Sequence, residues 1–478
     1  MDTKQIAIQA IDQNKDLFCQ ISDKIWEFAE LSLMDYQSAD LLCQQFKADG
    51  WEVEQNLDNI ATCFKASFGH GKPYIGILGE FDALSGLSQV GGATQRQELI
   101  KDGCGHGCGH NMLGAGSMAA AYGVRAYLEQ TGKQGTVIYF GCPGEEGGAS
   151  KAFLARDGYW KFLDVALCWH PSDVNQVFGG SSNSCIQKEY CFTGVAAHAA
   201  GSPQYGRSAL DAVELMNMGV QFLREHMDSH DRIHYAITDA GGNSPNVVQP
   251  HARVLYMVRS HQVQDCIALQ KRVDKIATAA AMMTETDLHV RFIDGLANLI
   301  TNQTLEHVIY NNLQYVGCPT YTDQEMEYAK ELLKSVENPT TGLPQGMDEN
   351  DPRYQEVDTL SNHGTKPLND FIVPYLFSND ATPGSTDVGD VSWLTPTAQV
   401  NTVCFASNAP GHSWQNVSIG KTSIGHKGLI YAGKVLACTA IDLFENPDIV
   451  AAARAEFEKK TAVGFTSPIP PDAVPTTV

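Results

Sequence analysis

Apolar positions along the chain recur in two rhythms. Between residues 4 and 31, Ile8, Ile11, Phe18, Ile21, Ile25 and Phe28 fall at helical spacing, which predicts one long amphipathic helix or two. A second helix is expected at about 37–48, with Gly50 as its C-terminal cap. Short β-branched and aromatic runs then read as strands at 62–68, 74–78, 136–140 and 165–169. Helical sequence separates them at 112–129 and 150–157. This alternation predicts an α/β domain with a largely parallel sheet. In such sheets chemistry collects beyond the C-terminal ends of the strands.

From about residue 184 the rhythm changes. A strand at 185–192, a helix at 207–227, strands at 233–238 and 252–258, a helix at 264–283 and a strand at 288–292 follow. That order is the split βαβ kind of α+β sandwich. Helix-forming sequence resumes near Thr304, so the sandwich reads as an insertion. The expected division is 1–183 with 298–478 as one domain and 184–297 as the inserted one. Residues 338–370 are poor in apolar residues and read as an irregular excursion. A strand at 402–406 and a helix at 427–443 come next, and the Pro-rich stretch at 467–471 has no expected regular structure.

The charge balance narrows the partners. Thirty-three basic against 55 acidic residues give a net charge of −22 with no basic patch, which excludes nucleic acid and anionic membrane surfaces. The first residues lack the basic-then-apolar pattern of a signal peptide. No apolar stretch approaches the roughly 20 residues that span a bilayer. Thirteen cysteines, an odd number scattered through core-like runs, suit reduced thiols. A cytoplasmic protein is the expectation.

The candidate chemistry sits at strand ends. Gly141-Cys142-Pro143-Gly144-Glu145-Glu146-Gly147-Gly148 follows the strand at 136–140. Adjacent carboxylates repel, and a divalent cation relieves this when one Glu binds it and the other takes a proton from water. A solvated acidic loop is the plainer reading of that pair alone. Cys108-Gly109-His110 puts a thiolate and an imidazole at a helix entrance, a ligand pair suited to zinc-like ions. A structural knuckle of Cys104, His106, Cys108 and His110 competes, but its spacings are tighter than such sites use. Asp82 and His170 also end strands, and His412 follows the strand at 402–406. His426 is the rival to His412, and its place at the head of a helix favours packing or capping. Gly114-Ala115-Gly116-Ser117-Met118-Ala119 resembles a dinucleotide fingerprint, yet it follows no strand directly and lacks the acidic residue further on.

Taken together, these motifs resemble the co-catalytic metallopeptidase and aminoacylase family, which includes carboxypeptidase G and the auxin-conjugate amidohydrolases. Within it the resemblance is to the p-aminobenzoyl-glutamate hydrolase branch. It rests on 79–87, 105–111, 141–148, 196–200, 206–213, 244–249 and 385–393, and spans nearly the whole chain. The resemblance implies a phosphorylase/hydrolase-like α/β catalytic domain, its mixed sheet flanked by helices, with an inserted ferredoxin-like α+β lid and dimerisation domain. It implies metal ligands at Cys108, His110, Glu146, His170 and His412, with Cys108 bridging two divalent ions, Zn or Mn. Glu145 falls on the general base and Asp82 on the aspartate that orients a histidine ligand. His198 falls on the lid histidine that, in related dimers, binds the oxyanion from the neighbouring subunit. Asn246 and Arg259 fall on the pair that grips a substrate carboxylate. The implied activity is amide hydrolysis of an N-acyl amino acid, p-aminobenzoyl-glutamate first, by a homodimer or a hetero-oligomer with a related A subunit. A dipeptidase or N-acyl-amino-acid deacylase, and a non-catalytic partner subunit, are the alternatives. One departure stands out: Asn111 and Leu113 replace an Asp and a His of the auxin-conjugate branch, which leaves the ligand count open.

Overall fold

The computed structural model describes residues 2–476 apart from 338–342, 345–346 and 348, so part of the irregular stretch expected at 338–370 lies outside the described residues. The chain divides into two units. The first holds Met1–Gly180, Ile300–Asn379 and Val391–Gly464; the second holds Ser181–Leu299, Asp380–Asp390 and Phe465–Val478. The described strands, in chain order, are β1 (Glu52–Gln55), β2 (Phe64–His70), β3 (Tyr74–Gly79), β4 (Gly135–Gly141), β5 (Val165–Ser172), β6 (Gln176–Val177), β7 (Ser181–Ser182), β8 (Ser184–Thr193), β9 (Arg232–Asp239), β10 (His251–Ser260), β11 (Asp287–Leu296), β12 (Ala381–Thr382) and β13 (Thr397–Val403).

The first unit is built on a seven-stranded mixed sheet of order β1-β2-β4-β3-β5-β13-β6. Its centre, β4-β3-β5-β13, is parallel, while the flanking pairs β1-β2, β2-β4 and β13-β6 are antiparallel. Every residue of β4 is buried, as expected of a strand covered on both faces. Two long helices, His110–Thr131 and Ser423–Glu445, pack closely because small residues line their contact: a Cβ at Gly433 would meet Ala119 Cβ at 2.9 Å. Trp169 in β5, Tyr139 in β4 and Phe46 of the helix Tyr36–Ala48 lie in the same core.

Several boundaries differ from the sequence expectation, each for a local reason. The N-terminal helical stretch takes the second of its two expected forms, two helices, Thr3–Gln13 and Lys15–Phe28, broken at Asn14, whose side chain donates to the Ala10 carbonyl at 2.8 Å. The strand expected at 402–406 is β13, Thr397–Val403. Cys404, Phe405 and Ala406 are apolar because they are buried beyond the strand, so their hydrophobicity extended the expected element past its end. The final long helix starts at Ser423, which puts His426 inside its first turn. There His426 pairs with Asp23 at 2.9 Å. Helices Asp323–Leu333, Tyr354–Leu360 and Pro447–Lys460 and the exposed edge strand β1 also form.

The second unit is a four-stranded antiparallel sheet of order β11-β8-β10-β9, with helices Ala209–Leu223 and Val263–Thr284. Strand β10 alternates: Ala252, Val254, Tyr256 and Val258 are buried, while Arg253, Leu255, Met257 and Arg259 lie on the other face. Among the described residues, no helix is long and apolar enough to cross a membrane.

Candidate active site

The ends of β3, β4 and β5 and the start of the helix His110–Thr131 bring the candidate residues of the first unit together. Gly109 precedes that helix with φ +83°, and a Cβ there would lie 2.9 Å from both Met112 Cε and Phe405 Cζ. Only glycine fits this turn, which folds Cys108 and His110 toward the same side.

Asp82 holds His110. Its Oδ1 takes the Nδ1 of His110 at 2.9 Å, and its Oδ2 accepts from Ser32 Oγ at 2.7 Å and from the Glu146 backbone N–H at 2.9 Å. One buried carboxylate therefore fixes an imidazole and the glutamate loop at once. Burial alone would raise the Asp82 carboxyl, but its contacts with His110, Glu146 and Ser32 hold it well below the usual carboxylate range. With Nδ1–H committed to Asp82, the Nε2 of His110 faces the other candidates.

Around that nitrogen the donor atoms cluster. Cys108 Sγ lies 3.3 Å from His170 Nε2, and the His170 Nδ1–H donates to the Pro171 carbonyl at 2.7 Å. His170 thus presents the lone pair of Nε2. Burial, then the neighbouring His110, lowers its pKa to about 4, so it is a neutral imidazole at pH 7. His412 Nε2 lies 3.4 Å from Glu146 Oε1, and its ring is the exposed rim of the cluster. Glu145 Oε2 is 4.0 Å from His110 Nε2. Three sets of donor atoms lie within 4.8 Å of one another: Cys108–His110–His170, Cys108–Glu146–His412 and Glu80–His110–Glu145.

The donors fit a pair of cations. His110 Nε2, Glu80 Oε2 and Glu146 Oε1 are buried without hydrogen-bond partners, an arrangement that costs free energy unless a cation satisfies them. Burial and the Glu146 carboxylate raise the Cys108 thiol, so only a bound cation would draw it into the thiolate form. Cys108 is common to two of the donor sets, as a bridging ligand requires.

The other site candidates fall as follows. His198, Asn246 and Arg259 belong to the second unit. His198 is exposed, and its Nδ1 accepts from the backbone N–H groups of Gly201 at 3.0 Å and Ala200 at 3.2 Å. The proton is then on the outward Nε2. Asn246 is exposed and its carbonyl accepts from Ala199 N at 2.9 Å. Arg259 Nη1 donates to Ser385 Oγ at 2.8 Å. His106, of the competing knuckle, is buried with Nε2 3.0 Å from the Ile25 carbonyl. Asn111 donates to Ser22 Oγ at 3.0 Å and Leu113 is fully buried, so both departures from the auxin-conjugate pattern serve packing.

Two residues of the cluster were not singled out from the sequence. Glu80 Oε2 is 3.3 Å from His110 Nε2, and Glu80 Oε1 pairs with the fully buried Lys151 at 2.9 Å. Glu80 is two residues before Asp82 in extended backbone, so the two share a side; that spacing was the available signal.

Fold and site together define a metal-dependent amidohydrolase. The profile of Peptidase family M20/M25/M40 matches residues 77–366. The B-type subunit of the p-aminobenzoyl-glutamate hydrolase of Escherichia coli (strain K12) is 41% identical over 98% of this chain and 97% of its own length. The chain belongs to Peptidase family M20/M25/M40. The Xaa-Arg dipeptidase of Mus musculus is 25% identical over 96% of this chain and 92% of its own. Among solved structures, a dinuclear metal binding peptidase from the M20 family of Bacillus subtilis superposes with a TM-score of 0.55 at 15% identity, over 91% of this chain and 99% of that one.

Proposed function

We propose that this chain hydrolyses the amide bond of p-aminobenzoyl-glutamate, releasing p-aminobenzoate and glutamate. The observation that carries the reading is the convergence of Cys108, His110, Glu145, Glu146 and His170, with His412 at the rim, at the strand ends of one sheet. The 41% identity to the E. coli hydrolase polypeptide over nearly the full length supports the choice of substrate.

Cys108, His110 and His170 would hold one divalent ion, and Cys108, Glu146 and His412 the other, both Zn or both Mn. When bound, such ions supply Lewis acidity toward a carbonyl and a water. Glu145 takes the proton of the attacking water and passes it to the leaving amine nitrogen. Asp82 keeps His110 in one tautomer throughout and, through the Glu146 backbone, holds the glutamate loop in register.

The second unit is read as a ferredoxin-like lid and dimerisation domain inserted at 184–297, and its strand order supports this. The outward Nε2–H of His198 is a donor suited to a developing oxyanion, delivered from a neighbouring subunit. Arg259 and Asn246 would grip the glutamate carboxylate, for which a guanidinium is matched in geometry. The assembly is a homodimer or a hetero-oligomer; the designation of the E. coli relative as one kind of subunit supports the second. The free state of all 13 cysteines supports a cytoplasmic setting.

Dipeptide hydrolysis by the same residues is the alternative to be tested against the proposed substrate, the mouse dipeptidase being 25% identical. Purified chain loaded with Zn or Mn, assayed on p-aminobenzoyl-glutamate and on a panel of Xaa-Arg dipeptides, separates the two. Release of p-aminobenzoate well above dipeptide turnover is expected, and the reverse order would discard the proposed substrate. No turnover of either by the chain alone, restored by a companion subunit, would establish the partner-subunit reading.

A further inference from the structure

The Glu80–Lys151 pair reaches into the donor cluster through Glu80. Lys151 is fully buried and Glu80 is 2% exposed. An interior ion pair of this kind costs desolvation that its own attraction scarcely offsets, so its retention calls for a reason beyond stability. The pair is also lopsided. Lys151 pairs with Oε1, at 2.9 Å. The other oxygen, Oε2, is buried with no hydrogen-bond partner and points at His110 Nε2, 3.3 Å away, itself buried without one. His110 is thus clasped between two carboxylates two residues apart, Asp82 on Nδ1 and Glu80 on Nε2. The first holds the ring through a hydrogen bond, whereas the second faces the atom that would bind metal.

We propose that Glu80 is a further metal ligand, binding through Oε2 the ion held by Cys108, His110 and His170, with Lys151 restricting it to that one oxygen. This rests on the metal-centre reading above. Glu80 already shares a donor set with His110, and the ion on His110 would then have Cys, two His and a carboxylate, four donors of types that Zn²⁺ accepts. It supplies a carboxylate to a chain whose Asn111 and Leu113 are turned to packing. Lys151 balances the added negative charge without competing for Oε2. The pair is thus a ligand and its counter-ion.

The roles of the two residues separate by mutation. Glu80→Gln and Lys151→Met are each compared with wild type by metal content after gel filtration, by chelator competition and by the absorption spectrum of the Co²⁺-substituted protein. Wild type should hold two ions. Glu80→Gln should lose one of them or bind it at least about tenfold more weakly, with a changed Co²⁺ spectrum. Lys151→Met should keep both ions, and its stability should depend more on metal, because the carboxylate then has only the ion to neutralise it. If the single variants misfold, Glu80→Gln/Lys151→Met removes both buried charges and is expected to hold one tight ion. Two ions of unchanged affinity and an unchanged Co²⁺ spectrum in Glu80→Gln, or in the double variant, would overturn the assignment. Equal metal loss in both single variants would reduce the pair to a structural support. Failure of wild type to bind any divalent ion would instead overturn the metal-centre reading itself.

Discussion

Replacing Asp82 by Asn removes one charge and one acceptor while keeping the shape. The carboxylate serves three partners: His110 Nδ1 at 2.9 Å, Ser32 Oγ at 2.7 Å and the Glu146 N–H at 2.9 Å. An amide offers oxygen on one side only. If that oxygen faces His110, the amide NH₂ meets the Glu146 N–H, and a buried donor left unsatisfied costs about 1–3 kcal/mol. If it faces Ser32 and Glu146, the NH₂ meets His110 Nδ1, which forces the proton to Nε2 and removes the nitrogen that would ligate. Either arrangement weakens metal binding. Loss of such an orienting partner costs about 10- to 100-fold in affinity, which is about 1.4–2.7 kcal/mol. Chelator competition on wild type and Asp82→Asn measures it directly. The metal-free proteins add a second test. The Asp82 carboxyl is depressed in the folded state, so its stabilisation is present above the unfolded value of about 3.9 and is lost as pH falls through the lower folded value. The acid side of the stability profile should therefore be flatter in Asp82→Asn. An Asn variant with wild-type metal affinity and an unchanged acid limb would refute the reasoning.

Four further outcomes are expected. Glu145→Gln should retain metal and lose activity by about 10²-fold or more, the range of a lost proton-transfer group, whereas Glu146→Gln should lose metal first; metal analysis beside kinetics reads both, and the opposite pattern would exchange their roles. Gly109→Ala should destabilise by about 1–2 kcal/mol from the left-handed backbone alone and lower metal content, because the added Cβ meets Met112 and Phe405; a thermal melt with metal analysis checks it. His426, opposed by burial but raised to about 9 by its bonds to Asp23 and Cys19, gives stability that is full below the unfolded value of about 6.5 and lost as pH rises through about 9. Asp23→Asn should remove that alkaline loss in a denaturation series from pH 6 to 10. Finally, mixing His198→Ala chains with Glu145→Gln chains should restore activity if the histidine acts between subunits, since one site of a mixed dimer is then whole; no recovery in verified mixed dimers would place its action within one chain.

Asp82, Cys108, His110, Glu145, Glu146 and His170 were legible because each ends an apolar run or opens a helix, where residue type and position point the same way. Glu80 and Lys151 were not. A buried lysine has the same letter as a solvated one, and only the fold shows that Lys151 is buried against Glu80. Strand β1 escaped for the opposite reason: Glu52, Val53, Glu54 and Gln55 form an exposed edge whose pairing with β2 is carried by backbone bonds, with almost no apolar signal. The helix Asp323–Leu333 had a readable start, since Thr322 and Glu325 form a reciprocal capping box. The limits of β13 were displaced because hydrophobicity reports burial, and burial continues past the last ladder residue.

The helix His110–Thr131 carries a ligand on its first residue, and its body is core. Its placement is set by clearances far from the chemistry. A methyl at Gly116 would stand 2.6 Å from Trp169, one at Gly123 would stand 2.8 Å from Ile11, and one at Gly433 would stand 2.9 Å from Ala119. A helix is stiff along its axis, so crowding at any of these points displaces its N-terminus and with it the imidazole. The interior thus works as the jig in which the centre is machined. Laboratory selection for tighter or altered metal use should accordingly recover changes at such clearances as well as among the ligands, and those changes would tune donor spacing without altering a single donor.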